Sequence, residues 1–220
     1  MSRIRGMLFD LDGTLLDSAP DLVASLNAVR RSEGKDPLPL SQMFRFASKG
    51  AAGLLRAGMP AVDDTTLEEW RQRFLHHYAQ NSYENSRLYD GVPELLDALD
   101  RNGIPWGIVT NKFEVLTHPI LEAAGLSDRA SCVVCGDTLS SKKPDPAPVL
   151  LACETIGTEP GHTVFAGDDL RDIEAGKAAG TQTAAIHYGY GSHELTGPPV
   201  EGSYPIHCPA DLVGLLHRVD

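Results

Sequence analysis

Two aspartates near the N-terminus, Asp10 and Asp12, have a spacing that could do chemistry. They follow an apolar run at 4–9 and precede a Gly-Thr turn. Side chains two residues apart on a strand lie on one face, so both carboxylates would project together beyond the strand. Such close charges repel unless a cation lies between them or one carboxyl stays protonated. For the pair alone, a solvated acidic turn is the alternative, because Asp and Gly are common turn residues.

Three further polar clusters stand near the ends of predicted strands. They are Thr110 with Asn111, Lys143 before Pro144, and Asp168 and Asp169 with Asp172 one helical turn later. Oxygen ligands without His or Cys favour Mg²⁺, which proteins commonly bind together with a substrate phosphate. A free carboxylate can then attack phosphorus and form an aspartyl-phosphate. The set therefore predicts Mg²⁺-assisted chemistry on a phosphate ester.

The elements that must position these residues alternate along the chain. Apolar, β-branched runs predict five strands, at 4–9, 104–109, 131–135, 163–166 and 183–186. Helical periods fall between or after them, at 93–101, 114–124, 146–156 and 170–179. This alternation predicts an α/β fold, with a Rossmann-like parallel sheet core and helices on both faces. Ligands bind beyond the carboxyl ends of such strands, so the polar clusters are expected to converge.

A helical insertion interrupts the alternation after the first strand. Apolar residues at helical spacing, punctuated by prolines, predict helices at 21–31, 41–57 and 65–77. We therefore expect an α-helical cap domain at 17–86, inserted into a discontinuous core of 1–16 and 87–220. The hinges would lie near 16–18 and 87–91. The Gly- and Pro-rich stretch 189–209 is expected to form an ordered loop.

Composition restricts the partners. The chain has 19 Lys and Arg and 30 Asp and Glu, which gives a net charge of −11. This charge disfavours binding of nucleic acid but does not exclude a small anionic substrate. No signal peptide or membrane-spanning run is visible, so we expect a cytoplasmic protein without membrane partners. Cys132 and Cys135 flank two valines of a predicted strand, which favours reduced structural thiols over a zinc pair. A monomer and a homodimer both remain open.

The motifs carry a family resemblance. In order, D-x-D-G-T, V-T-N-K, K-P-D-P and G-D-D-x-x-D resemble the haloacid dehalogenase superfamily, in its phosphatase branch, over essentially the whole chain. The resemblance implies that Asp10 is the nucleophile and that its other oxygen binds Mg²⁺. It implies that Asp12 protonates the leaving alcohol, later deprotonates a water, and gives its backbone carbonyl to the metal.

The same resemblance implies roles for the other motif residues. Thr110 and the Asn111 amide would hold phosphate oxygens, and Lys143 would neutralise the nucleophile and the phosphoryl group. Asp168 would be the remaining metal carboxylate, and Asp172 would bind through a metal-bound water. The cofactor expected from this set is Mg²⁺.

Several other residues receive an interpretation of their own. Asp169 is either another outer group around the metal or the N-cap of the next helix, and we favour the cap. Arg45 and Lys49 are candidates for substrate contacts from the cap, with a solvated helix-end lysine as the alternative. Three polar residues are assigned to the surface or to turns: Lys112, His118 and Asp145.

The expected activity is hydrolysis of a phosphomonoester of a small phosphorylated metabolite. Within the family, D-L-D-G-T-L-L-D-S-A-P-D-L and V-T-N-K look most like phosphoglycolate phosphatase. G-D-D-L-R-D-I-E-A-G and G-Y-G also look like the N-acetylmuramic acid 6-phosphate phosphatases, which are the alternative. A sugar phosphomutase is a weaker one. Asp12 argues against a dehalogenase, and the intact set argues against a non-catalytic binding protein.

Overall fold

Six parallel strands form the main sheet. The computed structural model describes residues 3–216. The strands of this sheet are β1 (Gly6–Phe9), β4 (Trp106–Val109), β5 (Cys132–Val134), β6 (Thr163–Gly167), β7 (Gln182–Ile186) and β8 (Tyr204–Ile206). Their order across the sheet is β5-β4-β1-β6-β7-β8. The five predicted strands are confirmed, each within two residues of its expected bounds.

Helices cover both faces of the sheet. They are α5 (Val92–Arg101), α6 (Glu114–Ala123), α7 (Ala147–Thr155), α8 (Leu170–Ala179) and α9 (Pro209–Leu216). Met7 and Phe9 of β1 share a core cluster with α5 and α9, whereas Leu8 shares one with α7 and α8. Burial on both faces explains why the central strands are continuous apolar runs. The predicted fold class is confirmed.

The helical insertion begins and ends at a short antiparallel pair, β2 (Leu16–Asp17) and β3 (Arg87–Leu88). Between them lie α1 (Ala19–Ser32), α2 (Leu40–Met43), a 3-10 helix (Phe44–Lys49), α3 (Gly50–Gly58) and α4 (Asp64–Asn81). The single helix predicted at 41–57 is wrong. The chain turns at Gly50, where φ is +61°, a left-handed conformation that no continuous α-helix contains.

A buried carboxylate ties the end of the insertion to its start. Asp21 on α1 is 2% exposed. It accepts hydrogen bonds from the backbone N–H of Asn85 at 3.0 Å and of Ser86 at 2.9 Å. The Ser86 hydroxyl donates to it at 2.6 Å. These bonds fix the returning chain just before β3.

The loop predicted at 189–209 is only partly observed. Its end forms β8, which pairs with β7 at the edge of the sheet, and α9 follows. The sequence pattern did not predict this strand because it contains Pro205, and proline is rare within sheets. An edge strand such as β8 tolerates it. Over residues 3–216, no helix combines the length and the apolarity needed to cross a membrane.

Candidate active site

Three adjacent strands bring their terminal polar residues together. Because β4, β1 and β6 are neighbours, Thr110, Asp10 and Asp168, each directly after its strand, lie side by side. A cavity of about 480 Å³ opens there, lined by these residues together with Lys143 and Asp172. The predicted convergence of the clusters at the carboxyl ends of the strands is therefore observed.

Lys143 supplies a buried positive charge at these strand ends, and its side chain is 3% exposed. Its Nζ lies 2.7 Å from Asp10 Oδ1 and 2.7 Å from Asp172 Oδ1, and it donates to the Val109 carbonyl at 2.7 Å. Burial lowers the pKa of Lys143, but the charges of Asp10 and Asp172 outweigh it, so the net shift is upward. The group is therefore an ammonium ion held in place by three acceptors.

Asn111 fixes the backbone of Lys143. Its Nδ2 donates to the Lys143 carbonyl at 2.9 Å, and the Lys143 N–H donates to its Oδ1 at 3.0 Å. The polar atoms of the side-chain amide are thus committed to Lys143. The structure shows a positioning contact for this side chain, in addition to the phosphate contact that the resemblance implies for the Asn111 amide.

A cluster of three acidic side chains lies at the same strand ends. Asp10, Asp168 and Asp172 are buried, and each offers a carboxylate oxygen within 4.8 Å of the others. Burial raises the pKa of Asp168 well above its usual value, and the charges of the other two raise it further. Burial also raises the pKa of Asp172 to about 7, although Lys143 opposes the shift. This surplus of negative charge and the all-oxygen donor set fit Mg²⁺.

The start of α8 confirms the N-cap interpretation of Asp169. Its carboxylate accepts from the Arg171 N–H at 2.9 Å, and the Asp172 carboxylate accepts from the Asp169 N–H at 3.1 Å, a capping box. Burial raises the pKa of Asp169, but hydrogen bonds and charge from Arg171 bring it below its usual value. The guanidinium of Arg171 in turn donates to the Ser48 carbonyl in the insertion at 2.8 Å.

The backbone of the G-Y-G segment closes tightly on Asp168. The Gly191 N–H donates to Asp168 Oδ2 at 2.7 Å. A Cβ atom added at Gly189 would lie 2.1 Å from the Gly13 carbonyl oxygen and 2.5 Å from Asp168 Oδ2. Only glycine fits there, because such distances are far inside van der Waals contact.

Lys112 lies in the bend after β4, but the expectation that its side chain is at the surface is wrong. Its side chain is 8% exposed and its Nζ lies 2.7 Å from Asp12 Oδ1. The Ser18 hydroxyl donates to the same oxygen at 2.5 Å, and Lys112 donates to the Tyr78 hydroxyl at 2.9 Å. The position of Lys112, two residues after Thr110 at a strand end, is the signal that could have identified it.

The remaining candidates differ in placement. Lys49 lines the cavity, and its ammonium group pairs with Glu194. Arg45 is not among the lining residues, and its guanidinium lies 5.1 Å from the centre of a neighbouring phenylalanine ring. His118 is exposed, as expected, and so is Asp145, which accepts from a backbone N–H at the start of α7.

Comparisons with known proteins agree with this geometry. The haloacid dehalogenase-like hydrolase family matches residues 7–186. N-acetylmuramic acid 6-phosphate phosphatase of Pseudomonas aeruginosa is 42% identical over 218 residues, 98% of this chain and 96% of that protein. Phosphoglycolate phosphatase of Xylella fastidiosa is 42% identical over 190 residues, 86% of this chain and 83% of that protein.

A solved structure matches over almost the same length. The crystal structure of a predicted phosphoglycolate phosphatase from Haemophilus somnus 129pt has a TM-score of 0.85 and 28% identity, covering 98% of this chain and 99% of that one. The enzyme class predicted from the motifs, a phosphatase, is confirmed by these relatives. The chain belongs to the haloacid dehalogenase-like hydrolases.

Proposed function

We propose that this phosphatase hydrolyses a small phosphomonoester through an aspartyl-phosphate on Asp10, with Mg²⁺ as its cofactor. The observation that carries the proposal is the buried ion pair of Asp10 with Lys143, which shares a cavity with Asp12. Lys143 holds Asp10 by Oδ1. In the described part of the chain, Asp10 Oδ2 accepts no hydrogen bond, which leaves one oxygen free to react.

The proposed reaction has two steps. In the first, the Asp10 carboxylate attacks phosphorus, the ester P–O bond breaks, and the alcohol leaves with a proton from Asp12. In the second, a water gives its proton to Asp12 and attacks phosphorus, so that the bond to Asp10 breaks and inorganic phosphate leaves. Thr110 and Lys143 would bind the phosphoryl oxygens and neutralise their charge, on which phosphoryl transfer chiefly depends.

The donor set suggests how Mg²⁺ would be held. Asp10, Asp168 and the backbone carbonyl of Asp12 would be direct ligands. Asp172 suits a contact through water, because its two oxygens already contact Lys143 and the N–H that begins α8. When bound, Mg²⁺ would supply positive charge to the transferring phosphoryl group.

We further propose that the helical insertion acts as a cap domain with the boundaries expected from the sequence. Two contacts that join its 3-10 helix to the sheet domain beside the cavity support this. Arg171 donates to the Ser48 carbonyl, and Lys49 pairs with Glu194. A cap held in this way would exclude water from the phosphoryl transfer. Lys49 remains its candidate substrate contact.

Phosphoglycolate is the substrate that the motifs favour, and N-acetylmuramic acid 6-phosphate is a second candidate. The cavity of about 480 Å³ favours the second, because a two-carbon ester fills little of it. Its wall also carries apolar side chains that a sugar ring and its acetyl and lactyl methyl groups could contact. These are Leu22, Phe74, Leu75, Phe113, Val115 and Leu116.

Phosphate release from a substrate panel tests the proposal. The panel contains 2-phosphoglycolate, N-acetylmuramic acid 6-phosphate, N-acetylglucosamine 6-phosphate and glucose 1-phosphate. We expect turnover that EDTA abolishes and Mg²⁺ restores, with Asp10→Asn and Asp12→Asn folded but inactive. Isomer formation without phosphate release would identify a phosphomutase instead. Turnover by Asp10→Asn near that of the wild type would refute the nucleophile.

The setting of the enzyme is also a proposal. All four cysteines are free, as expected of a reducing compartment, which supports a cytoplasmic location. Monomer and homodimer are both compatible with a cavity built from one chain. Sedimentation of the purified protein distinguishes them.

A further inference from the structure

Lys112 joins the sheet domain to the helical insertion through a single buried ammonium group. It lies just beyond β4, and its Nζ contacts Asp12 Oδ1 at 2.7 Å and the Tyr78 hydroxyl at 2.9 Å. Tyr78 belongs to α4 and is 1% exposed. Helix α4 therefore reaches the Asp12 carboxylate through one intermediate residue.

The contacts of Asp12 are all on one side. Ser18 and Lys112 both donate to Oδ1, at 2.5 and 2.7 Å. Oδ2 accepts no hydrogen bond from residues 3–216. The side chain is 20% exposed, and Asp12 lines the cavity. Two donors on Oδ1 fix the rotation of the carboxyl group and leave Oδ2 as the oxygen available to the substrate.

Stability alone does not account for a lysine at this position. A buried ion pair contributes little compared with an apolar side chain of similar size, because both charges lose their hydration. An apolar residue packed on Tyr78 would serve the fold as well. What the ammonium group adds is direction, since it can bind the Asp12 carboxylate and the Tyr78 hydroxyl at once.

The geometry points to Lys112 and Tyr78 as positioning residues. We infer that they orient Asp12 for proton transfer to the leaving alcohol, and that they do so only while α4 lies over the end of β4. The position of the cap would thereby be coupled to the readiness of the proton donor. This inference rests on the role proposed above for Asp12.

Leaving-group dependence tests the inference in the full-length enzyme. An alkyl phosphate needs a proton on its departing oxygen, whereas 4-nitrophenyl phosphate releases a stable phenolate and needs little help. The ratio kcat/KM includes only the steps up to loss of the leaving group, so it isolates this event. We compare Tyr78→Phe and Lys112→Met on 4-nitrophenyl phosphate and on the best alkyl ester of the panel.

For the alkyl ester, kcat/KM should fall about tenfold in Tyr78→Phe and by up to about a hundredfold in Lys112→Met, as expected for lost hydrogen bonds to a charged network. For 4-nitrophenyl phosphate it should change less than about threefold. The double variant should resemble Lys112→Met, because Tyr78 acts through Lys112. The matched controls are Tyr83→Phe, at a partly buried tyrosine, and Lys177→Met, at an exposed lysine. In both controls kcat/KM should be unchanged on both substrates.

Two results would overturn the inference. Equal losses on both esters would show a general structural role, and no loss on the alkyl ester would show that the contacts are idle. Tyr78→Phe removes only a hydroxyl, so it decides the matter even where Lys112→Met unfolds. Asp12→Asn is measured in parallel. If kcat/KM of Asp12→Asn falls equally on both esters, the acid role proposed for Asp12 is refuted. If only the Lys112 and Tyr78 variants lose equally on both esters, the positioning role inferred for these two residues is refuted instead.

Discussion

Replacing Asn111 with alanine should weaken both the fold and the reaction. The side chain makes two hydrogen bonds to the backbone of Lys143, at 2.9 and 3.0 Å. Each contributes about 1 kcal/mol net, and the Lys143 groups left unpaired add a desolvation cost, so the loss should total about 2–3 kcal/mol. For a chain of this size, that loss lowers Tm by about 5–10 °C.

The same substitution should slow catalysis, because it frees the backbone that carries the Lys143 ammonium group. A displacement of about 1 Å in a positioned group can cost up to about a hundredfold in rate. We therefore expect kcat to fall tenfold or more, by about 1.4 kcal/mol or more in activation free energy. KM should change less, because Lys143 also neutralises charge that develops after binding.

Thermal unfolding and steady-state phosphate release measure these effects. Asn102→Ala is the matched control, because the side chain of Asn102 makes one hydrogen bond, to the Ala98 carbonyl at a helix end. It should cost less than about 1 kcal/mol and leave kcat unchanged. If Asn111→Ala is no less stable and no slower than Asn102→Ala, the claim that Asn111 positions Lys143 is refuted.

Three further outcomes are expected. Asp21→Ala should cost about 3 kcal/mol in urea unfolding, because it leaves buried donors before β3 without an acceptor; a loss below about 1 kcal/mol would contradict this. Gly189→Ala should weaken Mg²⁺ binding about tenfold or more by displacing Asp168, whereas Gly161→Ala, with no atom within 4 Å of the added carbon, should not. Because burial raises the pKa of Asp168, this carboxyl keeps its proton in the folded state over a pH range above about 4 in which the unfolded chain has lost it, so the contribution of Asp168 to stability without metal should fall as pH rises through that range. The gain in Tm on adding Mg²⁺ should therefore be larger at pH 7 than at pH 5, and equal gains would contradict the sign.

Much of the fold followed from local pattern. The runs that became β1, β4 and β6 are apolar because both of their faces are buried, and this composition is visible without any partner. Asp169 could be interpreted as an N-cap for the same reason, since a capping box lies within one helical turn. The sequence pattern gave wrong elements where the conformation of a proline or a glycine depends on its place in the fold. Pro205 is tolerated because β8 is an edge strand, and Gly50 turns the chain within an otherwise helical period.

The amino-acid sequence by itself determined the chemistry of this protein: the carboxylates, the lysine, the hydroxyl, and the strand ends at which they stand. Tertiary structure decided the partners. Asn111 faces the backbone of Lys143, and Lys112 joins Asp12, 100 residues away in the chain, to Tyr78, which is 34 residues away. Periodicity reports only whether a side chain is buried on its own element. Which distant group meets a buried ammonium depends on how the insertion packs on the sheet, and no local pattern encodes that.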